Sequence, residues 1–372
     1  MKTKSLTYIT YQTFPADTAN SIQTISNIKY LIKNGLEVKL YFPLREKTSS
    51  DNIDELKKFY SIDEEFESIG LKHNLPFGKL KFLESIWFHI SHFLWSKKNV
   101  KKIIKLSTSD EIFFTRSDWV LYFLSKNNKS VIFECHQISK IRNWVLKRVR
   151  NNEKVKVIFL NKNLQEYYQN LNLNNKVLHN GVDSILFSKF LNMKKNENQV
   201  IYVGNLLRFG KKRGLDFIIE AFSSFDELKN FNLQIIGGPE KEASRLRELI
   251  KENKFRNITV TGRLNKEETA KKIMESSIGV LINSDESLHS KEFTSPLKYF
   301  EYLFAKLKII AVDFPAHKIL PYSENISFFK NDDHKEFIKC IIESNSKNNT
   351  ENYKGISIDD RIKELLKFIK NK

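Results

Sequence analysis

The stretch Thr294-Ser-Pro-Leu-Lys-Tyr-Phe-Glu301 is followed closely by the apolar run Lys308-Ile-Ile-Ala-Val-Asp313. Ser295 and Pro296 predict that a helix begins here, because a serine oxygen accepts from unpaired backbone N–H groups and proline loses no hydrogen bond at the first helical position. The N–H groups and the positive dipole end of such a helix attract phosphate. The apolar run predicts a buried strand after the helix.

Lys298 and Glu301 lie three residues apart and therefore share one face of this helix. A lysine suits a phosphate-binding site, whereas a glutamate at the same place suggests contact with another group, such as sugar hydroxyls. An exposed Lys–Glu pair on a capped surface helix is the alternative, and this stretch alone does not decide between the two.

The composition is that of a globular protein. The chain has 372 residues, of which 41% are hydrophobic and 28% are charged, so two to three domains are expected. No run approaches ~20 apolar residues, so we expect no transmembrane helix, and the N-terminal residues do not resemble a signal peptide. Cys135 and Cys340 are too few for a disulfide framework and suit a reducing compartment, so we expect a cytoplasmic protein.

The charge balance is basic. The chain carries 62 Lys and Arg against 44 Asp and Glu, a formal net charge of +18. Such an excess suggests an anionic partner. Because the whole chain is rich in Lys, Asn and Ile, the charge by itself is weak evidence.

Strand-like and helix-like segments alternate along the chain, which predicts parallel sheets with helices on both faces. In the first half the predicted strands are Ser5–Thr10, Val38–Pro43, Glu111–Arg116, Ser130–His136, Val155–Asn161 and Lys176–Asn180. In the second half they are Gln199–Asn205, Asn232–Gly238, Ile258–Leu264, Ile278–Asn283, Leu307–Asp313 and Ile326–Lys330. We therefore expect two tandem Rossmann-like, doubly wound α/β domains facing an interdomain cleft. The first is expected over residues 1–190 and the second over residues 195–352, with a polar linker at Phe187–Asn198.

Ligands of such domains bind beyond the carboxyl ends of the strands, so the residues that follow strands are the candidates. In the first half, Asp17, Asn20 and Ser21 follow the first strand, and His136 follows Glu134 at a later strand exit. The first group suits an acceptor sugar or phosphate, unless Asp17 or Asn20 simply caps the next helix. His136 suits hydrogen bonding to substrate or proton transfer, unless it is a structural histidine.

In the second half, one strand ends at Gly204 and Asn205, and a basic cluster precedes the next helix. The members of the cluster are Arg208, Lys211, Lys212 and Arg213. Glycine lets backbone approach a ligand, and clustered cations stabilise a diphosphate leaving group. A solvated basic loop is the alternative. The sequence has no Ser-His-Asp elbow, no Cys or His pair with metal spacing and no Asp-x-Asp, so no metal site is expected.

The order of these pieces resembles the family 4 glycosyltransferases, whose GT-B fold joins two Rossmann-like domains and which transfer sugars from nucleotide-diphosphate donors. The resemblance spans nearly the whole sequence. It is strongest in Val200–Phe222, Leu233–Gly238, Ile258–Asn283 and Ser295–Asp313. The first half adds Phe14–Gln23, Phe133–His136 and His179–Phe187. The resemblance also implies that a C-terminal helix, within residues 353–372, packs back on the first domain.

On matching positions the resemblance implies these roles. Glu301 resembles the second glutamate of the family's pair, which holds the ribose hydroxyls. Backbone for the diphosphate would come from Ser295, Pro296 and Leu297, with Lys298 beside it. The glycine and the cation that neutralise the leaving phosphate match Gly204 and one of Lys211, Lys212 and Arg213. The segment that runs under the base matches Gly262, Arg263 and Leu264. His136 resembles the first-domain histidine that faces the transferred sugar.

Three features depart from the family's pattern. Asn205 stands where many members have arginine directly after the glycine, and the basic cluster lies slightly further along than usual. Phe293, next to Glu292, stands where the first glutamate of the pair is expected. Because the family's first glutamate approaches the donor sugar, this departure concerns the sugar more than the nucleotide.

The resemblance implies transfer with retention of anomeric configuration, from a UDP- or GDP-sugar and without a metal or another cofactor. In front-side attack the leaving diphosphate takes the acceptor proton, and the hypothesis assigns its charge stabilisation to Lys212 or Arg213 together with Lys298. The implied acceptor is a glycan or a lipid-linked sugar in bacterial surface polysaccharide, such as lipopolysaccharide, capsule or O-antigen. The donor sugar, the base, the acceptor and the linkage stay open.

An anionic membrane surface is a further predicted partner. Phe77–Trp95 is rich in aromatic residues and precedes a lysine run at 97–105, and Lys140–Arg150 adds Trp144 among basic residues. This pattern is typical of an interfacial helix on anionic lipid at the inner face of the plasma membrane. Ordinary helices that pack their aromatic residues in the core are the alternative.

Two other functions compete with this prediction. A basic nucleic-acid- or polyanion-binding protein would explain the charge but not the ordered strand exits, so no nucleic-acid partner is expected. An epimerase or phosphorylase on the same architecture would show more catalytic carboxylates or a lysine-bound cofactor, and the sequence indicates neither.

Overall fold

A computed structural model of the protein describes residues 5–73, 84–208, 211–283, 285, 287–345 and 352–370, except for the side chains at positions 85, 208, 211, 212 and 345. The chain divides into two compact units. The first comprises Met1–Leu178 and Ile362–Lys372, and the second comprises His179–Arg361. The division falls before the linker expected at Phe187–Asn198, because Val182 and Phe187 are buried in an apolar cluster of the second unit.

The first unit is built on one parallel sheet. Its strands are β1 (Ser5–Ile9), β2 (Glu37–Leu44), β3 (Glu67–Lys72), β4 (Ile112–Thr115), β5 (Val131–Cys135), β6 (Val155–Phe159) and β7 (Asn175–Val177). Their order in the sheet is β3-β2-β1-β4-β5-β6-β7. Its helices before residue 179 are α1 (Ala19–Lys33), α2 (Ile53–Tyr60), α3 (Glu84–Leu106), α4 (Asp118–Lys126), α5 (Lys140–Val149) and α6 (Lys162–Tyr167).

The second unit repeats this plan. Its strands are β8 (Gln199–Val203), β9 (Leu207–Arg208), β10 (Lys211–Lys212), β11 (Asn232–Ile236), β12 (Ile258–Gly262), β13 (Ile278–Leu281), β14 (Lys308–Val312) and β15 (Ile326–Phe329). Six of them form a parallel sheet in the order β12-β11-β8-β13-β14-β15, and β9 pairs with β10 as a short antiparallel hairpin. The helices are α7 (Ser184–Ser188), α8 (Leu215–Ser224), α9 (Glu240–Glu252), α10 (Lys266–Glu275), α11 (Leu288–Glu292), α12 (Leu297–Phe304), α13 (Pro315–Lys318) and α14 (His334–Asn345).

Both faces of the second sheet are covered. Along β8, Tyr202 packs into one apolar cluster, while Ile201 and Val203 pack into another. Successive side chains of a strand point to opposite faces, so these are the two cores of a buried parallel sheet. The fold class predicted from the sequence, two tandem Rossmann-like α/β sheets, is confirmed.

In each sheet the strand order reverses at one point. The reversal lies between β1 and β4 in the first sheet and between β8 and β13 in the second. Ligands of open α/β sheets bind outside the carboxyl ends of the strands at such a point. The segments that leave β1 and β4, and those that leave β8 and β13, are therefore the places to inspect.

The C-terminal helix α15 (Ile358–Lys370) starts in the second unit and continues in the first. Within the first unit, Ile362 and Leu365 are fully buried. Lys176 on β7 pairs with Glu364 at 2.7 Å. The Lys156 ammonium donates to the Phe368 carbonyl at 2.7 Å, so α15 is attached to the edge of the first sheet. No described helix is long and apolar enough to cross a membrane.

Candidate functional site

At the carboxyl edge of the second sheet, backbone hydrogen bonds join neighbouring strand ends. The Gly204 amide donates to the Ile236 carbonyl at 3.0 Å, and the Gly237 amide donates to the Gly262 carbonyl at 2.9 Å. A Cβ on Gly237 would lie 1.8 Å from the Gly204 carbonyl oxygen. The ends of β8 and β11 are therefore in backbone-to-backbone contact at these glycines, and a ligand can approach the edge closely.

Two of the predicted donor-side residues meet at this edge. The Arg263 guanidinium is exposed and lies 3.4 Å from the Asn205 side-chain oxygen. The Tyr202 hydroxyl donates to the Asn205 carbonyl at 3.1 Å, which fixes the turn after β8. Leu264 is half-buried against the core of the unit.

The basic cluster forms the β9–β10 hairpin and the turn into α8. The backbone of Lys211 and Lys212 forms β10, but their side chains lie outside the described part of the structure. Arg213 is half-buried, and its Nη2 donates to the Asn283 side-chain oxygen at 2.9 Å. Its Nε is buried and has no hydrogen-bond partner among the described residues. Arg213 is the member of this cluster whose side chain the structure describes, and it contacts Asn283 after β13.

Asn283 was not predicted as a site residue. It follows β13 and is 7% exposed, and its amide lies 3.5 Å from the Ser290 carbonyl. The Thr294 hydroxyl donates to the same carbonyl at 3.3 Å. These bonds connect Arg213 to the loop that leads into α12. The position of Asn283 at the end of the predicted strand Ile278–Asn283 was the available signal.

The helix of the opening stretch begins one residue later than predicted. Pro296 is the N-cap residue, α12 starts at Leu297, and no side chain caps it among the described residues. The predicted cap by Ser295 is therefore wrong, because Ser295 lies before the cap residue. Its hydroxyl oxygen is buried and has no partner in the described structure, and its carbonyl accepts from the Asn180 amide at 2.6 Å.

Lys298 and Glu301 form an ion pair on α12, with Nζ and Oε2 2.6 Å apart. Their side chains are 28% and 19% exposed, so the pair is reachable from solvent. The neighbouring Tyr302 is fully buried, and its hydroxyl accepts from the Val203 amide at 3.1 Å. Burial raises the pKa of Tyr302 well above its ordinary value. This bond ties α12 to the end of β8.

Phe293, which stands in place of the family's first glutamate, is 5% exposed and belongs to the protein interior.

Among the described residues, no three His, Cys, Asp or Glu side chains come close enough together to hold a metal ion. Lys298 and Glu301 are charged residues of α12 itself, and Arg213 is connected to the preceding segment through Asn283. Guanidinium, hydroxyl and helix N–H groups are the donors that bind phosphate oxygens.

In the first unit, His136 lies at the end of β5 and both of its ring nitrogens are engaged. Nε2 contacts the Glu134 carboxylate, and Nδ1 lies 2.6 Å from Nη2 of Arg116. Arg116 follows β4, at the reversal of the first sheet, and was missed as a site residue. Cys135 beside them is an unreactive thiol, since burial raises its pKa to about 11.

Only part of the predicted polar segment after β1 contacts Arg116. The side-chain oxygen of Asn20 accepts from Arg116 Nη2 at 3.2 Å. Ser21 is buried and its hydroxyl donates to the Thr13 carbonyl at 3.3 Å, whereas Asp17 is exposed. The expectation that Asp17 or Asn20 caps α1 is wrong, because Thr18 is the N-cap and accepts from the Ser21 amide.

Comparison with known proteins finds a family model that matches most of the second unit. Residues 197–345 match the family model described as "Glycosyl transferases group 1". No curated protein matches the chain.

Solved structures with the same fold cover nearly the whole chain. Sucrose-phosphate synthase from Thermosynechococcus elongatus superposes with a TM-score of 0.66 at 15% identity, covering 98% of this chain and 96% of that one. An E. coli structure named as trehalose-6-phosphate bound with UDP-2-fluoro glucose gives 0.62 at 10% identity over 98% and 94% of the two chains. The lipopolysaccharide outer core galactosyltransferase WaaB gives 0.62 at 12% identity over 98% and 99%. Residues 197–345 of the second unit therefore match the group 1 glycosyltransferases, and the chain as a whole shares the two-sheet fold of these solved structures.

Proposed function

We propose that the protein transfers a sugar from a nucleotide-diphosphate donor to a glycan or lipid-linked acceptor, with retention of configuration and without a metal or other cofactor. The donor is a UDP- or GDP-sugar that binds at the carboxyl edge of the second sheet. The product belongs to bacterial surface polysaccharide, such as lipopolysaccharide, capsule or O-antigen. The protein acts at the cytoplasmic face of the membrane.

The observation that carries this proposal is a set of polar groups that lack partners in the described structure. Arg213 Nε and the Ser295 hydroxyl are buried without hydrogen bonds, and no side chain caps α12. A buried polar group without a partner costs about 1–3 kcal/mol. A diphosphate would satisfy all three kinds of donor, since its oxygens only accept.

We assign different ligand groups to the two members of the ion pair on α12. Lys298 has three N–H donors and uses one on Glu301. The others remain for a phosphate oxygen, while the Glu301 carboxylate accepts from ribose hydroxyls. In this proposal, Arg213 and Lys298 stabilise the charge that develops on the leaving diphosphate, and Lys211 or Lys212 are further candidates for this role. The E. coli structure with UDP-2-fluoro glucose supports a UDP donor by analogy of fold.

The surface of α3 supports a lipid-linked acceptor. Ile86, Trp87, Ile90 and Leu94 are exposed apolar residues near its start. Lys97, Lys98, Lys101, Lys102 and Lys105 are exposed further along the same helix. Apolar side chains beside lysines suit the surface of an anionic bilayer. WaaB, which shares the fold, is named as a lipopolysaccharide outer core galactosyltransferase, and this agrees with the choice of acceptor.

The predicted membrane segment is only partly exposed. Trp95 is buried, and Phe93 packs on Trp119 with ring centroids 5.0 Å apart. Phe77 and Phe82 lie outside the described residues. In the second basic group, Arg142 is buried and bonded to Asp118 at 2.7 Å, so it is not part of the basic surface. Trp144 is exposed, and the Arg148 guanidinium stacks over it at 5.1 Å.

The transferase proposal is tested with purified protein, a panel of UDP- and GDP-sugars and a lipid-linked sugar acceptor. We expect transfer from one donor, a product with the anomeric configuration of that donor by NMR, and an unchanged rate in EDTA. An inverted product or loss of the rate in EDTA would overturn the mechanism. Absence of transfer and of donor hydrolysis with every sugar would overturn the function.

The membrane proposal is tested by flotation with vesicles. Binding to vesicles with anionic lipid should exceed binding to neutral vesicles and should weaken with salt. Replacing Trp87 and Ile90 by serine should reduce it, whereas the same change at Leu191 and Ile342, which are exposed on the second unit, should not. Equal binding by all variants would count against α3 as the contact surface.

A further inference from the structure

The ring of His136 is held between two oppositely charged side chains. Its Nδ1 lies 2.6 Å from Arg116 Nη2, and its Nε2 contacts Glu134 Oε1. The two charged groups also face each other, with Arg116 Nε 3.6 Å from Glu134 Oε1. A histidine that transfers a proton needs a ring nitrogen free for the substrate, and here both are used.

This arrangement determines where the ring carries its proton. A guanidinium has donors only, so Nδ1 must present a lone pair to Arg116. A carboxylate accepts, so Nε2 must carry the hydrogen. Protonation of Nδ1 would direct its N–H against an N–H of Arg116. The contact with Arg116 therefore favours the neutral ring, because protonation would set two N–H groups against each other.

The two charged side chains are themselves held in place. Glu134 is fully buried and Arg116 is 8% exposed. Besides His136, Arg116 Nη2 donates to the Asn20 side-chain oxygen at 3.2 Å and to Gln23 at 3.1 Å. The His136 side chain is 20% exposed, so its ring reaches the surface while its nitrogens stay bonded to the protein.

We propose that Arg116 and Glu134 are positioning residues that hold His136 as a neutral ring protonated at Nε2, so that His136 does not take a proton from a substrate. The second part rests on the proposed function. The sequence suggests hydrogen bonding to substrate or proton transfer for His136, and this proposal excludes proton transfer.

The tautomer is tested by NMR on the full chain with ¹⁵N-labelled histidine, without any donor. H136Q identifies the His136 signals among those of the 8 histidines. We expect one neutral form, protonated at Nε2, both above and below the ordinary histidine pKa of about 6.5. Protonation of Nδ1 near that pH would overturn the proposal. Because no donor is present, this result is independent of whether the proposed function holds.

The positioning role is tested with R116Q/E134Q, which replaces both charges together so that no buried charge is left alone. We expect His136 to lose its single tautomer in this variant. An unchanged tautomer would overturn the role of the pair. Should the double variant not fold, R116Q gives the same readout, because a glutamine amide can accept as well as donate and no longer requires a lone pair at Nδ1.

Turnover separates orientation from proton transfer. H136Q keeps one donor and one acceptor but cannot take a proton, so it should retain about tenfold more activity than H136A. A general base contributes about 10²–10⁴-fold, and a glutamine cannot replace it. Equal losses above about 10²-fold in both variants would overturn the proposal.

Discussion

Arg213 combines three properties that single lysines on a solvated loop lack. It is half-buried, it is oriented by Asn283, and its Nε has no partner among the described residues. A donor that is oriented in advance and partly removed from water stabilises developing charge more strongly than a mobile surface cation.

We therefore predict that Arg213→Ala lowers kcat by about 10²–10³-fold, the range seen when one pre-oriented donor of a transition-state charge is removed. The measurement is steady-state turnover, with circular dichroism to show that the fold is kept. Lys241→Ala removes an exposed cation of the same unit and is the control. Equal turnover in the two variants would contradict the role of Arg213.

Asn180 provides a second prediction at this scale. Its amide holds the Ser295 carbonyl at 2.6 Å and is 4% exposed. Asn180→Ala should cost about 1–3 kcal/mol, because it leaves a part-buried acceptor unpaired, and should weaken nucleotide binding at α12. Asn127→Ala removes an exposed amide that also donates to a carbonyl, at 2.8 Å, and should stay within about 0.5 kcal/mol. Thermal unfolding and nucleotide titration provide both readouts, and equal effects would contradict the prediction.

The sequence predicts residues that carry charge at strand ends, but not the residues that hold them. Arg213, His136 and Glu301 were selected because their chemistry and their place after a strand or helix start are visible locally. Asn180 contacts Ser295 across 115 positions, and Asn283 contacts Arg213 across 70. A side-chain amide in a turn is so common that only the folded structure shows which one is used.

At the scale of elements, the ends of β8 and β11 set the shape of the donor edge. A Cβ on Gly237 would lie 1.8 Å from a backbone oxygen of Gly204, whereas one on Gly238 would lie 3.1 Å from the exposed side chain of Arg263. The Gly204 backbone cannot shift without moving a strand, but the exposed Arg263 side chain can adopt another conformation.

Gly237→Ala should therefore destabilise the protein by at least about 1–3 kcal/mol, the usual cost of overpacking, and should abolish donor binding. Gly238→Ala is the matched control and should cost clearly less. Chemical unfolding measures the difference. A Gly237 variant as stable as the Gly238 variant would show that the two strand ends are not packed as described.

Most strands were predictable because each is a short apolar run between turn residues. The exception in the first sheet is β3, which is an edge strand with half-buried residues and Gly70 at its centre, so it lacks an apolar run. The β9–β10 hairpin was missed because its two-residue strands are too short for any periodicity. The start of α12 was misplaced by one residue, since a Ser-Pro pair does not show which of the two is the cap.

At the scale of the whole molecule, α15 joins the two units through the chain itself. Leu365 is fully buried in the first unit, and Leu366 next to it is half-buried. Leu365→Ala should lower the free energy of unfolding by about 2–5 kcal/mol, whereas Leu366→Ala should cost less. Comparable losses from both variants in chemical unfolding would contradict the packing of α15 on the first unit.

The two-sheet architecture follows from repeated strand–helix alternation, which is visible in the sequence as a whole. The net charge of +18 is also visible there, but it did not show which basic residues are exposed. Arg142 is buried with Asp118, whereas the lysines of α3 are exposed. Composition therefore indicates an anionic partner, and only burial separates the basic surface from internal ion pairs.

The central claim is that the second unit binds a nucleotide-diphosphate sugar at the start of α12. Thermal unfolding of the full chain with UDP-, GDP-, ADP- and CMP-sugars tests it most directly. We predict that a UDP- or GDP-sugar at one hundred times its Kd stabilises the protein by about 2.7 kcal/mol, that a CMP-sugar with its single phosphate does not, and that Arg213→Ala removes the effect. Stabilisation by none of the diphosphate sugars, or equal stabilisation by the CMP-sugar, would contradict the account.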